Sequence, residues 1–308
     1  MRARRNGSRV LLAGVLLLIF GRAAAAAGPS QVADAMPGAR GSFPDQLQKY
    51  AGDLFFTASG NGTGVELWTS DGTLGGTHPV EDVNPGAAGS YPFELTESGG
   101  TLFFSAVSED TGRELWAGDG TEEGTVLVLD IAPGKDANPA ELTDVGGTLF
   151  FRAFHPTYGN ELWTSDGTAA GTEMVTEIRP GLVPADLGPA EITAVGTRVF
   201  FAANDGTHGP ELWSSDGTTE GTELVKDINP TRGSAPYGLT QVGDEVFFGA
   251  DDGTHGIELW RSDGTQAGTV LVKDIQPGIE ESDPEEITPL DGNVVFSATD
   301  GSFGRELW

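Results

Sequence analysis

The 308-residue chain contains no cysteine, only 17 basic residues and four histidines. Without cysteine there is no disulfide scaffold, no thiol nucleophile and no thiolate-bound metal or cluster. With 46 acidic residues and a net charge of −29, the surface repels phosphates and excludes nucleic acid as a natural partner. Apolar runs are short as well. The longest, Val10 to Phe20, falls well below the ~20 residues that cross a bilayer.

Glycine is abundant, at 46 residues, and 18 prolines accompany it, a level that borders on low complexity. Glycine shows no Gly-X-Y period, so a collagen-like helix is excluded. The 16 phenylalanines and six tryptophans argue against disorder.

Arg2, Arg4, Arg5 and Arg9 precede the apolar run, and Ala23 to Ala27 follow it. This is the pattern of a secretory signal peptide over residues 1–27, leaving one domain over 28–308. The expected location is therefore extracellular or periplasmic. Loss of the leader, with its five arginines, takes the charge from −29 to −34.

Trp68, Trp116, Trp163, Trp213, Trp260 and Trp308 recur every 47 to 50 residues, each closing a Glu-Leu-Trp triplet. A fixed period of this length signals a repeat architecture. Five triplets lead to Asp-Gly-Thr, at Asp71, Asp119, Asp166, Asp216 and Asp263. Each triplet follows an aromatic run such as Leu102-Phe103-Phe104, and an aliphatic-acidic stretch such as Leu224 to Pro230 comes after the turn. Within one repeat the segments Glu191–Val195, Arg198–Ala202, Glu211–Ser215 and Glu223–Ile228 are β-rich and bounded by turn residues. Three short hairpins and one long link per repeat predict an all-β fold: a six-bladed β-propeller of four-stranded antiparallel blades, about 48 residues each. The Leu/Ile-Thr strand is expected innermost and the aliphatic-acidic strand at the rim.

The sixth repeat ends at Trp308 without a rim strand, while Gln31 to Gly38 aligns with the rim pattern, Asp34 lying 48 residues before Asp82. The expectation is a ring closed by residues 31–36 pairing with the strand of Trp308. A piece of a longer repeat array is the competing account.

The linked motifs Glu-Leu-Trp-x-x-Asp-Gly-Thr and Leu-Val-Lys-Asp-Ile-x-Pro-Gly resemble those of the bacterial ELWxxDGT repeat proteins, over residues 31–308. The resemblance implies an exported, propeller-like repeat protein and supplies no catalytic residues. Phe154 to Gly159 departs from the usual hairpin pattern of the repeat.

No H-E-x-x-H, G-x-S-x-G or EF-hand loop occurs. Acids that recur in every repeat are explained by folding, and the Asp of Asp-Gly-Thr is read as a turn former. Calcium at Asp71, Asp119, Asp166, Asp216 and Asp263 is the alternative reading, because Ca²⁺ takes carboxylate oxygens. Otherwise no cofactor is expected. The six tryptophans are assigned to the core. The links and the aromatic-to-tryptophan hairpins emerge on one side and vary most between repeats. Tyr91, His155, Tyr158, His208, Tyr237 and His255 fall there and form the candidate ligand face. The favoured function is a secreted, monomeric, non-enzymatic binding or scaffold module for an extracellular protein or glycan. The alternatives are a glycan-active hydrolase with channel-lining carboxylates and a calcium-dependent adhesion module.

Overall fold

A computed structural model describes residues 30–36, 41–181 and 188–308, so the signal-peptide reading of residues 1–27 lies outside the described residues. Residues Val32–Trp308 form one compact unit. Every regular element among the described residues is a β-strand, and the strands form six antiparallel sheets in chain order. Five sheets have four strands and the last has three, Glu285–Leu290, Asn293–Thr299 and Arg305–Leu307. Within each sheet, sequence neighbours are spatial neighbours, which makes each repeat a meandering blade. The fold is propeller-like.

The fourth sheet illustrates the local logic. Its strands are Ala190–Val195, Arg198–Asn204, Pro210–Ser215 and Glu223–Lys226. The outer strand stops at Lys226, earlier than the sequence pattern suggests. Beyond it, the backbone N–H of Asn229 turns inward and donates to the Glu211 carboxylate at 2.9 Å, so the chain leaves the ladder there.

Alternation along the strands fills two interfaces at once. Phe103 and Leu115 point into the core shared with the third sheet. Their neighbours Phe104 and Trp116 point into the core shared with the first sheet. That second core joins Phe55, Leu67, Val80 and Val83 of the first sheet to Leu95, Leu102, Phe104 and Ala106 of the second. The same division separates Leu162 from Trp163, Leu212 from Trp213 and Leu259 from Trp260. Each buried Phe or Leu contributes about 1.5–3 kcal/mol, so the stacked sheets need no covalent staple.

Inner strands are stitched to one another. Gln46, Glu94, Glu141, Glu191 and Glu286 all adopt the left-handed region, with φ between 54° and 62°, and Gly238 takes the same place at 65°. At three of these positions the side chain reaches the next sheet, Gln46 Oε1 accepting from Glu94 N–H at 3.1 Å. Leu142 N–H donates to Glu94 Oε2 at 2.9 Å and Ile192 N–H to Glu141 Oε2 at 2.8 Å. Thr143, Thr193 and Thr240 donate from their hydroxyls to the inner strand of the following sheet.

The expected pairing of residues 31–36 with the strand of Trp308 is absent from the sheets: among the described residues this segment carries no strand. Val32 and Ala35 stand one repeat before Val80 and Val83. Ala35 packs on Phe56, Ala58 and Trp68, the first-sheet counterparts of Phe104, Ala106 and Trp116. The segment thus covers the outer face of the first sheet as a preceding rim strand would.

Candidate functional site

The Glu of the first five Glu-Leu-Trp triplets is buried and faces the link of its own repeat, whereas Glu306 of the sixth is exposed. Glu114 accepts from the backbone N–H of Ile131 at 3.0 Å and Ala137 at 3.2 Å. Glu211 accepts from Asn229 N–H and Ser234 N–H, and Glu258 from Ile275 N–H, Gln276 N–H and the Ser282 hydroxyl. Glu66 takes both the N–H and the hydroxyl of Ser90. One carboxylate therefore fastens the long connection to the sheet. Burial pushes the Glu66 and Glu114 carboxyls up to about 7, against the lowering effect of these donors. Glu211 and Glu258 are raised for the same reason.

Fastened links and the aromatic-to-tryptophan hairpins share one end of the sheets. Val107 N–H donates to Ser90 O, Phe154 to Ala137 O, and Asp251 to Ser234 O. The Asp-Gly-Thr turns occupy the opposite end. There Asp71 Oδ1 accepts from Thr73 N–H at 2.8 Å and Thr73 Oγ1 at 2.7 Å, and Asp119, Asp166, Asp216 and Asp263 repeat the pattern. These bonds hold the five carboxyls below the usual range. One oxygen of each carboxylate, Oδ1, is an acceptor inside its own turn. Among the described residues, no three His, Asp or Glu side chains gather in a metal-binding cluster.

The six sequence-derived candidates do not form one site. His155 stacks on Tyr158, with ring centroids 4.9 Å apart, and its Nδ1 accepts from Thr157 N–H. Burial lowers its pKa. His208 and His255 each bond a hairpin aspartate through Nδ1, Asp205 at 2.7 Å and Asp252 at 2.8 Å, and that bond raises the pKa of each imidazole. Tyr237 is not on a link. It opens the inner strand Tyr237–Val242, where its hydroxyl donates to Asp283 Oδ1 of the next sheet at 3.1 Å and its ring fills the space beside Gly249. Burial raises its pKa. A packed ring with its hydroxyl spent on a neighbouring sheet is structural.

Tyr91 alone enters a cleft, of about 550 Å³, formed where the first three sheets present their links and inner strands. Phe43, Tyr91 and Phe93 line it and are 79%, 53% and 49% exposed. Arg113, Asn138 and Gln46 supply planar polar groups. Phe43, Tyr91 and Asn138 each precede a proline and each adopt φ near 47–48°, a left-handed backbone at three successive links. Sequence reasoning missed Arg113, Phe43 and Phe93. The usable signal was Gly-Arg-Glu-Leu-Trp, which occurs before Trp116 and Trp308 only.

No protein-family model matches the chain. No curated protein matches it either. Among solved structures, a puromycin hydrolase mutant complexed with PGG is similar over 82% of this chain and 42% of its own, at 14% identity and a TM-score of 0.50. The likeness is one of fold alone. Prolyl endopeptidase matches at 16% identity and a TM-score of 0.49, over 83% of this chain and 38% of its own. TolB from Acinetobacter baumannii matches at 13% identity and 0.42, over 84% and 64%. The chain spans about two fifths of the length of the puromycin hydrolase and of the prolyl endopeptidase.

Proposed function

We propose that the chain is an exported, non-enzymatic binding module that recognises a glycan through the cleft at the first three links. The observation that supports this reading is the cleft's composition: three exposed aromatic side chains beside two guanidinium groups and two amides, where links meet the ends of strands. Aromatic faces offer flat apolar contact, and planar polar groups around them fix orientation. Inner-strand carboxylates that a hydrolase would use, Glu94 and Glu141, are occupied as acceptors from the neighbouring sheet.

In this reading the six sheets close into a ring. Residues 31–36 serve as the outer strand of the last sheet, in keeping with the packing of Ala35 on the first. Export and kinship with the ELWxxDGT repeat proteins belong to the same proposal, resting on the leader pattern and the recurring motifs.

A glycan array read alongside a pooled glycosidase assay tests it. Binding that disappears in Tyr91→Ala and Phe93→Ala, without turnover, is the expected result. Turnover, or binding indifferent to both substitutions, overturns the proposal.

A further inference from the structure

The two Gly-Arg-Glu-Leu-Trp repeats place Arg113 and Arg305 at the same position of the second and sixth sheets. Their first guanidinium nitrogens share three equivalent acceptors, and Arg305 Nη1 also pairs with Glu285 Oε2 at 3.2 Å, where the second sheet has Phe93. Arg113 Nη1 donates to Tyr91 O at 3.1 Å, Ser105 O at 3.4 Å and Ser105 Oγ at 3.2 Å. Arg305 Nη1 donates to Asp283 O at 2.8 Å, Ser297 O at 3.5 Å and Ser297 Oγ at 3.3 Å. Both backbones match as well: Tyr91 has φ 48° and Asp283 has φ 50°, each directly before a proline.

The second nitrogens differ. Arg305 Nη2 donates to the Asp283 carboxylate at 2.6 Å. In the second sheet Tyr91 stands where Asp283 stands, and among the described residues Arg113 makes no ion pair through its remaining nitrogens. Arg113 is half-buried, and its loss of water lowers its pKa, with Asp136 the only charge opposing that shift. A guanidinium presents a fork suited to carboxylate, and charge-assisted bonds of this kind are about twice as strong as neutral ones.

Resting on the glycan reading above, we infer that the cleft takes a carboxylate-bearing sugar, a uronate, whose carboxylate pairs with Arg113 as Asp283 pairs with Arg305. Its ring packs on the exposed faces of Tyr91 and Phe93. The net negative field of the protein disfavours dense polyanions, so the ligand carries isolated carboxylates within a mixed chain. Arg152 lines the same cleft but is paired with Glu141 at 3.7 Å, which leaves Arg113 as the selecting cation.

The test uses calorimetric titration with matched pairs of oligosaccharides, differing only in hydroxymethyl or carboxylate at C6: oligoglucose with oligoglucuronate, and oligogalactose with oligogalacturonate, each in mixed sequences. The expected result is at least ten-fold tighter binding of the uronate member. Arg113→Gln removes that preference, so that the two members of each pair bind alike. Tyr91→Asp supplies the carboxylate from within the chain and melts higher than Tyr91→Asn, which removes the same ring without adding a charge; equal melting overturns the pairing. This second variant holds the test open where Arg113→Gln fails to fold. Equal binding within pairs, or a preference that survives Arg113→Gln, overturns the inference and leaves the glycan reading standing. No binding by any member overturns both.

Discussion

Ser234 donates twice to the buried carboxylate of Glu211, through its hydroxyl at 2.5 Å and its N–H at 3.1 Å. Asn229 donates from the other end of the same link. Glu211→Ala would orphan two buried backbone N–H groups, each at a cost of about 1–3 kcal/mol. Thermal unfolding is expected several degrees lower, with the link of the fourth repeat the first to lose protection from hydrogen exchange. Exchange unchanged at Asn229 and Ser234 would contradict the fastening role.

The same carboxylates make stability depend on pH. Folding raises the Glu66 and Glu114 carboxyls from 4.5 to about 7, and Glu211 and Glu258 shift the same way. Between those values the folded chain binds more protons than the unfolded one, so stability falls as pH rises through 4.5 to 7. The turn aspartates have lowered values, and their contribution is lost below about pH 4 as they protonate. Calorimetry across pH 3 to 8 should give a maximum melting temperature near pH 4 and a decline from there to pH 7. A plateau between pH 5 and 7.5 would show that the glutamates keep their ordinary values.

Gly221 is required by a close approach. A Cβ there would lie 2.0 Å from Asp216 Oδ1. Gly221→Ala must push the carboxylate away from Thr218, and overpacking of this kind costs about 1–3 kcal/mol. The exposed aspartate can swing into water, which places the loss at the lower end. Denaturant titration of this variant against Asp216→Ala checks the mechanism, since the two defects should not add.

Ring closure has a direct readout in a chain without cysteine. Leu67 pairs with Glu81 in the first sheet. Carried to the ends of the chain, that register sets Ala33 opposite Leu307. Paired Cα atoms lie about 4.5–5.5 Å apart, within disulfide reach. Ala33→Cys with Leu307→Cys should oxidise to an intramolecular disulfide in monomeric protein. Exclusive formation of intermolecular disulfides would show that the ends do not meet within one chain.

Much of the fold was legible because periodicity carries it. Tryptophan spacing, paired phenylalanines and Asp-Gly turns define the strands and their order, and Glu191–Val195 differs from the observed strand by one residue. Bulges were not legible: Glu94 and Glu141 read as ordinary strand acids, yet a left-handed backbone turns them onto the next sheet. The candidate site was only partly visible. Tyr91 was found from its place on a link, whereas Tyr237, one residue after a proline rather than before it, is drawn into the strand. Arg113 shares Gly-Arg-Glu-Leu-Trp with Arg305 in the sequence, but the difference between the partners of the two guanidinium groups shows only in three dimensions.

The long links of the second and fourth repeats are gripped at their two ends mainly through backbone N–H groups. Such a connection behaves like an exchangeable cassette. New residues can be tried between the gripped ends without redrafting the sheet beneath, and a cassette copied from one repeat has a ready-made socket in the next. A chain of this kind can acquire different specificities at neighbouring positions while its framework stays constant.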